Sequence, residues 1–433
     1  MGVKAIYETR PLESWRWAKE LRAKHFQEIN TAKEKGKILA AGIIDWGHPL
    51  MEGIEGLFYY TPEAWVSNIA THPDLLARCA DAAEFKGFGR DFCGNIRFYY
   101  GAMLADVNPF GGHFPAPDLA VAQAFCAVSG KWYQPLVDHL GIPIFSVERP
   151  LNVPRRPVKP HLVEYMVGLY HDMIKWLEKT TGKPFNDERF IDALYNQCRS
   201  QVLWSEICSF NKAVPAPLDL KSMYSLWFPA ITDPSNPESV AFYAALKDEV
   251  QQRVDEHIAA VPNERCRLFH DAQPPWYFLQ LFRLAESFGA VFIGSVHIYT
   301  MGGAFDVPEP DVVGIKVDPK SQGTNFRNRE EALRFMAEWD LTHALYECWL
   351  IRNKIELTAA MVRDWKVDGM VFHHDRHCQG LALGQMEIRL ALQEKGIPST
   401  GYEASFADKR DFAENQVIAR IETFLESMGL KRE

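Results

Sequence analysis

Short apolar runs of strand length recur along this chain with amphipathic helical stretches between them, and that alternation constrains the fold more than any other feature. In the first third the runs are ILAAGIIDWGHP, ending abruptly at Asp45–Pro49, then GLFYYT (Gly56–Thr61), PDLAVAQAFC and GIPIFSVERP. The spacing predicts helices over Leu12–Lys35, Ala64–Ala70, Asp74–Phe85 and Arg90–Leu104. Alternation of this kind belongs to an α/β fold with parallel sheets, whose ligand crevice lies beyond the carboxyl ends of the strands.

LNVPRRPVKP, residues 151 to 160, is rich in proline and basic residues and reads as a linker. After it come long helical periodicities (His161–Thr180, Asp187–Phe210, Pro237–Ala260) with no convincing strand. Alternation then resumes with CRLFH (Cys266–His270), AVFIGSVHIY (Ala290–Tyr299), a long helix Arg329–Lys354, GMVFHH (Gly369–His374), a helix Leu381–Lys395 and a strand near Pro398–Tyr402. The expectation is a first α/β domain over 1–150, a helical insertion over 151–262 and a second α/β domain over 263–433. A chain of 433 residues, 47% hydrophobic, is long enough for more than one such core.

A net charge of −9 without any long acidic or basic run argues against nucleic acid or an anionic membrane as partner. The longest uncharged stretch, Ser287–Phe305, is broken by glycines and holds His297, so it reads as strand, turn and loop rather than a membrane span. MGVKAIYETR lacks a signal-peptide apolar core, and Ile6 stands where myristoylation needs Ser or Thr. The expected location is the cytoplasm, with the eight cysteines reduced.

Common motifs are excluded one by one. GFGRDF (residues 87–92) has two glycines of a dinucleotide fingerprint, but Phe92 fills the third place. Thr181-Gly182-Lys183-Pro184 resembles the end of a phosphate-binding loop, yet Leu177 replaces the leading glycine and Pro184 the Ser or Thr. No GxSxG, HExxH or CxxC occurs.

The cysteines are the remaining chemistry. Cys93 in GFGRDFCGNIRFYYGAML falls in the first turn of a helix, where free N–H groups and the helix dipole favour a thiolate. Cys126 falls at or just past the end of a strand, and Cys378 closes HHDRHC after a buried strand. In that cluster His373 and His377, four apart, could share a helical face and bind zinc with Cys378. Alternatively Cys93, Cys126 and Cys378 converge between the two α/β units on an iron–sulfur group, or each is simply a small buried side chain. Cys79, Cys198, Cys208, Cys266 and Cys348 lie among apolar neighbours and read as packing.

RDFCGNIRFYYGAM around Cys93, PDLAVAQAFCAVSGKWYQ around Cys126 and HHDRHCQG around Cys378 together resemble the benzoyl-CoA reductase and 2-hydroxyacyl-CoA dehydratase family. Within it, RDxCxxxRxYxGxM and GGxFPxPD at Gly111–Asp118 are most similar to the B-subunit branch of ATP-dependent benzoyl-CoA reductases. The resemblance implies two Rossmann-like parallel-sheet domains with a helical part, and one [4Fe–4S] cluster held by Cys93, Cys126 and Cys378. It also implies a homologous partner subunit, ATPase activator subunits with their own iron–sulfur cluster, and reduced ferredoxin upstream. ATP would act only through that activator. The expected activity is transfer of single electrons to an aromatic acyl-CoA in anaerobic aromatic degradation. The alternatives are radical elimination of water from a 2-hydroxyacyl-CoA, or a non-catalytic scaffold subunit stabilised by metal. His48, His113, His374 and His377 are the candidate proton donors, in loops beside the crevice. Arg97, one turn beyond Cys93, is a candidate for a CoA phosphate or for balancing the cluster's charge.

Overall fold

The computed structural model describes residues 6–124, 126, 128–150, 157–309, 312–344 and 350–432. Linker residues 151–156, and Cys348, lie outside them. The strands in chain order are β1 (Ile38–Gly42), β2 (Leu57–Tyr60), β3 (Leu119–Ala124), β4 (Ile144–Glu148), β5 (Cys266–Asp271), β6 (Ala290–Ser295), β7 (Phe305–Asp306), β8 (Gly314–Ile315), β9 (Gly369–Asp375) and β10 (Ser399–Ala404). Two four-stranded sheets result, ordered β2-β1-β3-β4 and β10-β9-β5-β6, and every pairing in them is parallel. The α/β fold with two parallel-sheet domains is therefore the fold found. β7 and β8 form a separate short antiparallel pair.

All six residues of β5 and of β6 are buried, the pattern of parallel strands covered on both faces. In the first sheet the two faces separate by alternation along each strand. Leu39, Ala41, Tyr60, Ala120 and Ala122 face the helices Pro62–Ile69, Pro73–Phe85, Gly94–Leu104 and Ser129–Leu140. Ala40, Leu57, Tyr59, Leu119 and Val121 face the helices Pro160–Thr181, Asp187–Phe210 and Arg329–Leu341. So the helical stretch roofs the first sheet, and a helix from the last third completes that roof. Close approach of Pro73–Phe85 to Gly94–Leu104 depends on Gly101, where an added Cβ would lie 1.9 Å from the Cys79 carbonyl oxygen.

Asp187–Phe210 starts as its sequence dictates. Asn186 caps it by accepting from the Arg189 N–H at 3.0 Å, with Asp187 and Glu188 in the first turn. Its early residues Phe190 and Leu194 lie in the first sheet's core, and its later residues Leu203 and Trp204 lie in the core around the second sheet. Among the described residues from 157 to 265, an isolated bridge from Phe185 to Ile54 is the only β-pairing. No helix of the described residues is long and apolar enough to cross a membrane.

Three expected elements are divided in the structure. AVFIGSVHIY is a strand only to Ser295, whose Oγ accepts from the Ile298 N–H at 3.0 Å and starts the helix Val296–Thr300. The helix expected over Arg329–Lys354 stops at Leu341, where the chain turns and His343 Nε2 lies 3.4 Å from Asp45; among the described residues the next helix is Ile351–Asp364. Leu381–Lys395 becomes Gln379–Ala382 and Gln385–Glu394, parted at Gly384 (φ +75), with Lys354 Nζ donating to the Leu381 and Leu383 carbonyls at 2.7 and 3.1 Å. Thr181-Gly182-Lys183-Pro184 stands at a helix C-terminus, the wrong end for cradling phosphate. Cys79, Cys198, Cys208 and Cys266 are buried.

Candidate functional site

Both sheets aim their carboxyl edges at one cavity of about 440 Å³. Ile44 reaches it from beyond β1, Glu63 from beyond β2, Cys126 from beyond β3, Gln273 from beyond β5, His297 from beyond β6, and Cys378 from beyond β9. The topology rule for open parallel sheets places a ligand there.

Three thiols enter the cavity in similar local settings. Cys93 is the residue before the helix Gly94–Leu104, and its sulfur takes the backbone N–H groups of Ile96 and Asn95. Cys126 Sγ takes the N–H of Ser129 at 3.3 Å, at the start of the helix Ser129–Leu140. Cys378 is the residue before Gln379–Ala382 and takes the N–H of Leu381. Each sulfur thus sits over free amides of a helix start, which is how a protein prepares a sulfur to carry negative charge. The Cys93 and Cys378 loops touch directly, with the Gly94 N–H donating to the His377 carbonyl at 3.3 Å.

The expectation of a ready thiolate at Cys93 is corrected by burial. Desolvation pushes that thiol up to about 12 against the pull of the two amides, with Cys126 adding to the rise. Cys378 is pushed well above its ordinary value by burial, then by Asp375 and Cys93. Thiols held this way ionise when a metal supplies the positive charge. Among the described residues no group of three His, Cys, Asp or Glu side chains is arranged to hold a metal ion. The zinc alternative also loses its geometry. His373 lies in β9, not in a helical turn with His377, and its Nδ1 meets the Gln273 carbonyl at 2.6 Å while its ring stacks on Tyr402.

Of the four histidine candidates, the structure brings His377 to the cavity. Its Nδ1 lies 2.6 Å from Ser405 Oγ and 3.5 Å from Arg97. His48 lines a second cavity that shares Phe228 as a wall with the first, and burial, helped by His25, pushes it down to about 3. His113 is exposed and paired with Asp106 at 2.6 Å. His374 is exposed in an open groove beside β10, 3.4 Å from Gln385. Arg97 is fully buried behind the thiols; it donates to Asp408 at 2.7 Å and Glu84 at 3.3 Å and lies over the Phe98 ring. Its guanidinium is thus taken up by protein carboxylates.

Sequence reasoning missed the cavity's other polar groups. Glu63 is 8% exposed with neither carboxylate oxygen in a hydrogen bond of normal geometry, and burial lifts it to about 8, opposed by its own and the Ile44 amide. Among the described residues, the indole N–H groups of Trp132 and Trp276, Nδ1 of His297 and Oδ1 of Asn95 also lack hydrogen-bond partners there. Thr61-Pro62-Glu63 reads locally as an ordinary helix start with an acidic first turn, so only the fold reveals it. A buried carboxyl with its proton retained near neutral pH can give that proton or take one.

A family model described as "HGD-D: 2-hydroxyglutaryl-CoA dehydratase, D-component" matches residues 75–428. The chain is 22% identical over 421 residues to the lactoyl-CoA dehydratase subunit alpha of Anaerotignum propionicum, covering 93% of each. It is 23% identical to the (R)-2-hydroxyisocaproyl-CoA dehydratase alpha subunit of Clostridioides difficile, covering 94% of each. Similarity to the (R)-phenyllactyl-CoA dehydratase alpha subunit of Clostridium sporogenes is also 23%, over 96% of this chain and 98% of that one.

Proposed function

Because the chain belongs to the 2-hydroxyglutaryl-CoA dehydratase D-component family, we propose that it is the cluster-binding alpha-type subunit of a 2-hydroxyacyl-CoA dehydratase. The observation that carries this reading is the meeting of three amide-bonded thiols and a neutral buried carboxyl on one cavity. The earlier expectation of aromatic ring reduction gives way here, since the matching family and the relatives above are named as dehydratases.

Cys93, Cys126 and Cys378 would hold a [4Fe–4S] cluster, three thiolates leaving one iron open. When bound, such a cluster supplies single electrons and an open coordination site. Elimination of water takes a hydroxyl from one carbon and a proton from its neighbour. Glu63, protonated below about 8, can give a proton to the departing hydroxyl and as carboxylate accept the one removed. Indole N–H groups of Trp132 and Trp276 are free to meet an oxygen of the ligand, while Trp227, Phe228 and Ile231 keep water out. His377, held through Ser405, is a second proton carrier beside the thiols. A non-catalytic scaffold would have no use for this cavity. The alpha-subunit relatives support a second, homologous subunit, and an ATPase activator fed by reduced ferredoxin would supply the electrons.

Ring reduction of an aromatic acyl-CoA is the second reading, favoured by RDFCGNIRFYYGAM and the aromatic cavity wall. Anaerobic co-purification with the partner subunit, counting iron and acid-labile sulfide, tests the cluster; assays with a 2-hydroxyacyl-CoA and with benzoyl-CoA, with activator and ATP, test the reaction. Dehydration with about four irons per chain supports the proposal. Cyclohexadiene formation instead supports the second reading, and iron-free protein with full activity removes both.

A further inference from the structure

Arg22 stands on the helix Ser14–Thr31 and contributes to the wall of the thiol cavity. Its side chain is exposed, and the protein around it lowers its guanidinium with no carboxylate acting in the other direction. No hydrogen bond or ion pair of Arg22 occurs among the described residues. The buried arginines Arg97 and Arg267 are answered, by Asp408 and by Glu264 at 2.6 Å. Lys221, also on the cavity wall, faces Glu286 at 3.7 Å. Glu63 is the buried carboxyl of this cavity, and it keeps its proton. The rest of the wall is largely apolar, with Ile44, Trp132, Trp227, Phe228 and Ile231 in it. A guanidinium on this wall with no ion pair among the described residues is open to an oxyanion, whose two acceptor oxygens match its fork of N–H donors.

Resting on the acyl-CoA reading above, we propose that Arg22 is an anion-recognising residue of the cavity, binding an oxyanion of the thioester ligand while the apolar wall holds the uncharged remainder. Two parts of such a ligand carry that chemistry, a carboxylate at the far end of the acyl group and the phosphates of CoA.

The test is equilibrium binding to the full chain with its partner subunit, in wild type, Arg22→Gln and Arg22→Lys. Three probes are used: a 2-hydroxyacyl-CoA ending in a carboxylate, one of equal length ending in methyl, and the methyl-ended acyl group on phosphate-free pantetheine. If the acyl carboxylate is the anion, R22Q weakens the first probe about 10- to 100-fold and spares the others. If phosphate is the anion, R22Q weakens both CoA esters alike and spares the pantetheine ester. R22K recovers part of the loss in either case, since it restores charge without the fork. Equal affinity of wild type and R22Q for all three probes overturns the proposal while leaving the acyl-CoA reading intact. Should R22Q not fold, wild type alone decides: a preference for the carboxylate-ended ester, or for CoA over pantetheine, that weakens with salt supports the proposal, and no such preference overturns it. Failure of wild type to bind any CoA ester overturns the acyl-CoA reading itself.

Discussion

The amide of Gly94 donates to the carbonyl oxygen of His377 at 3.3 Å, so the loops carrying Cys93 and Cys378 are joined backbone to backbone. The contact depends on the absence of a side chain at residue 94. A Cβ there would lie 2.6 and 2.9 Å from the Phe406 ring and 3.4 Å from the His377 Cβ. Gly94→Ala should therefore spread the two loops, costing about 1–3 kcal/mol and lowering bound iron. Thermal denaturation and iron analysis check it; an unchanged iron content in G94A sinks the idea.

Serine at Cys93, Cys126 or Cys378 should each abolish or convert the cluster, and serine at buried Cys79 should change stability alone. Absorption near 400 nm and sulfide counts read the difference. Full iron in any one of the first three variants would remove that residue from the ligand set.

Glu63→Gln keeps the shape and removes the proton carrier, so turnover should fall about 100- to 10,000-fold with substrate binding retained. A second signature is the pH dependence of stability. The folded carboxyl sits at about 8 against an ordinary 4.5, so wild type loses stability as pH rises between those values, while the unfolded chain ionises and the folded one does not. The advantage of E63Q should grow across that window and be flat on either side. Chemical denaturation at several pH values measures it, and a constant difference would mean that Glu63 is not buried in its neutral form.

Arg97 and Asp408 form a buried pair 2.7 Å apart, at 0% and 3% side-chain exposure. Arg97→Met should cost about 1.5–3 kcal/mol by removing one of the two guanidiniums that meet Asp408, and the double change with Asp408→Asn should recover part of it. Burial alone would raise Asp408, but the hydrogen bonds and charge of Arg410, with Arg97, hold it at about 2. Its contribution is thus present above the ordinary 3.8 and lost as pH falls to about 2. Urea titrations of wild type and D408N should converge over that interval; parallel curves would contradict the assignment.

Strand–helix alternation was legible in the chain because β1 and most of β3 are apolar runs and β5 and β9 carry apolar residues at their centres, and the helix Asp187–Phe210 was legible to its ends. Less legible was where an apolar run changes from strand to helix. AVFIGSVHIY has the same apolar character on both sides of Ser295, and only the hydrogen bond to that hydroxyl divides it. Cys93, Cys126 and Cys378 could be singled out because each follows or precedes a recognisable element end. Glu63 and Arg22 could not. An acidic first turn and a helical arginine are ordinary on any surface, and what sets these two apart is that, among the described residues, no side chain of opposite charge answers them on the cavity wall.

Helix Arg329–Leu341 lies in the core under β1 and β3, although nearly three hundred residues separate it from β1. On a ribosome, the first sheet to be synthesised is then finished long after its own strands are made. One of its faces must wait, partly uncovered, until residues 329–341 have emerged. Residue 378 leaves the exit tunnel later still, so the three thiols can meet only after Cys378 has emerged. A chain cut before residue 329 therefore leaves one face of its first sheet without the helix that covers it.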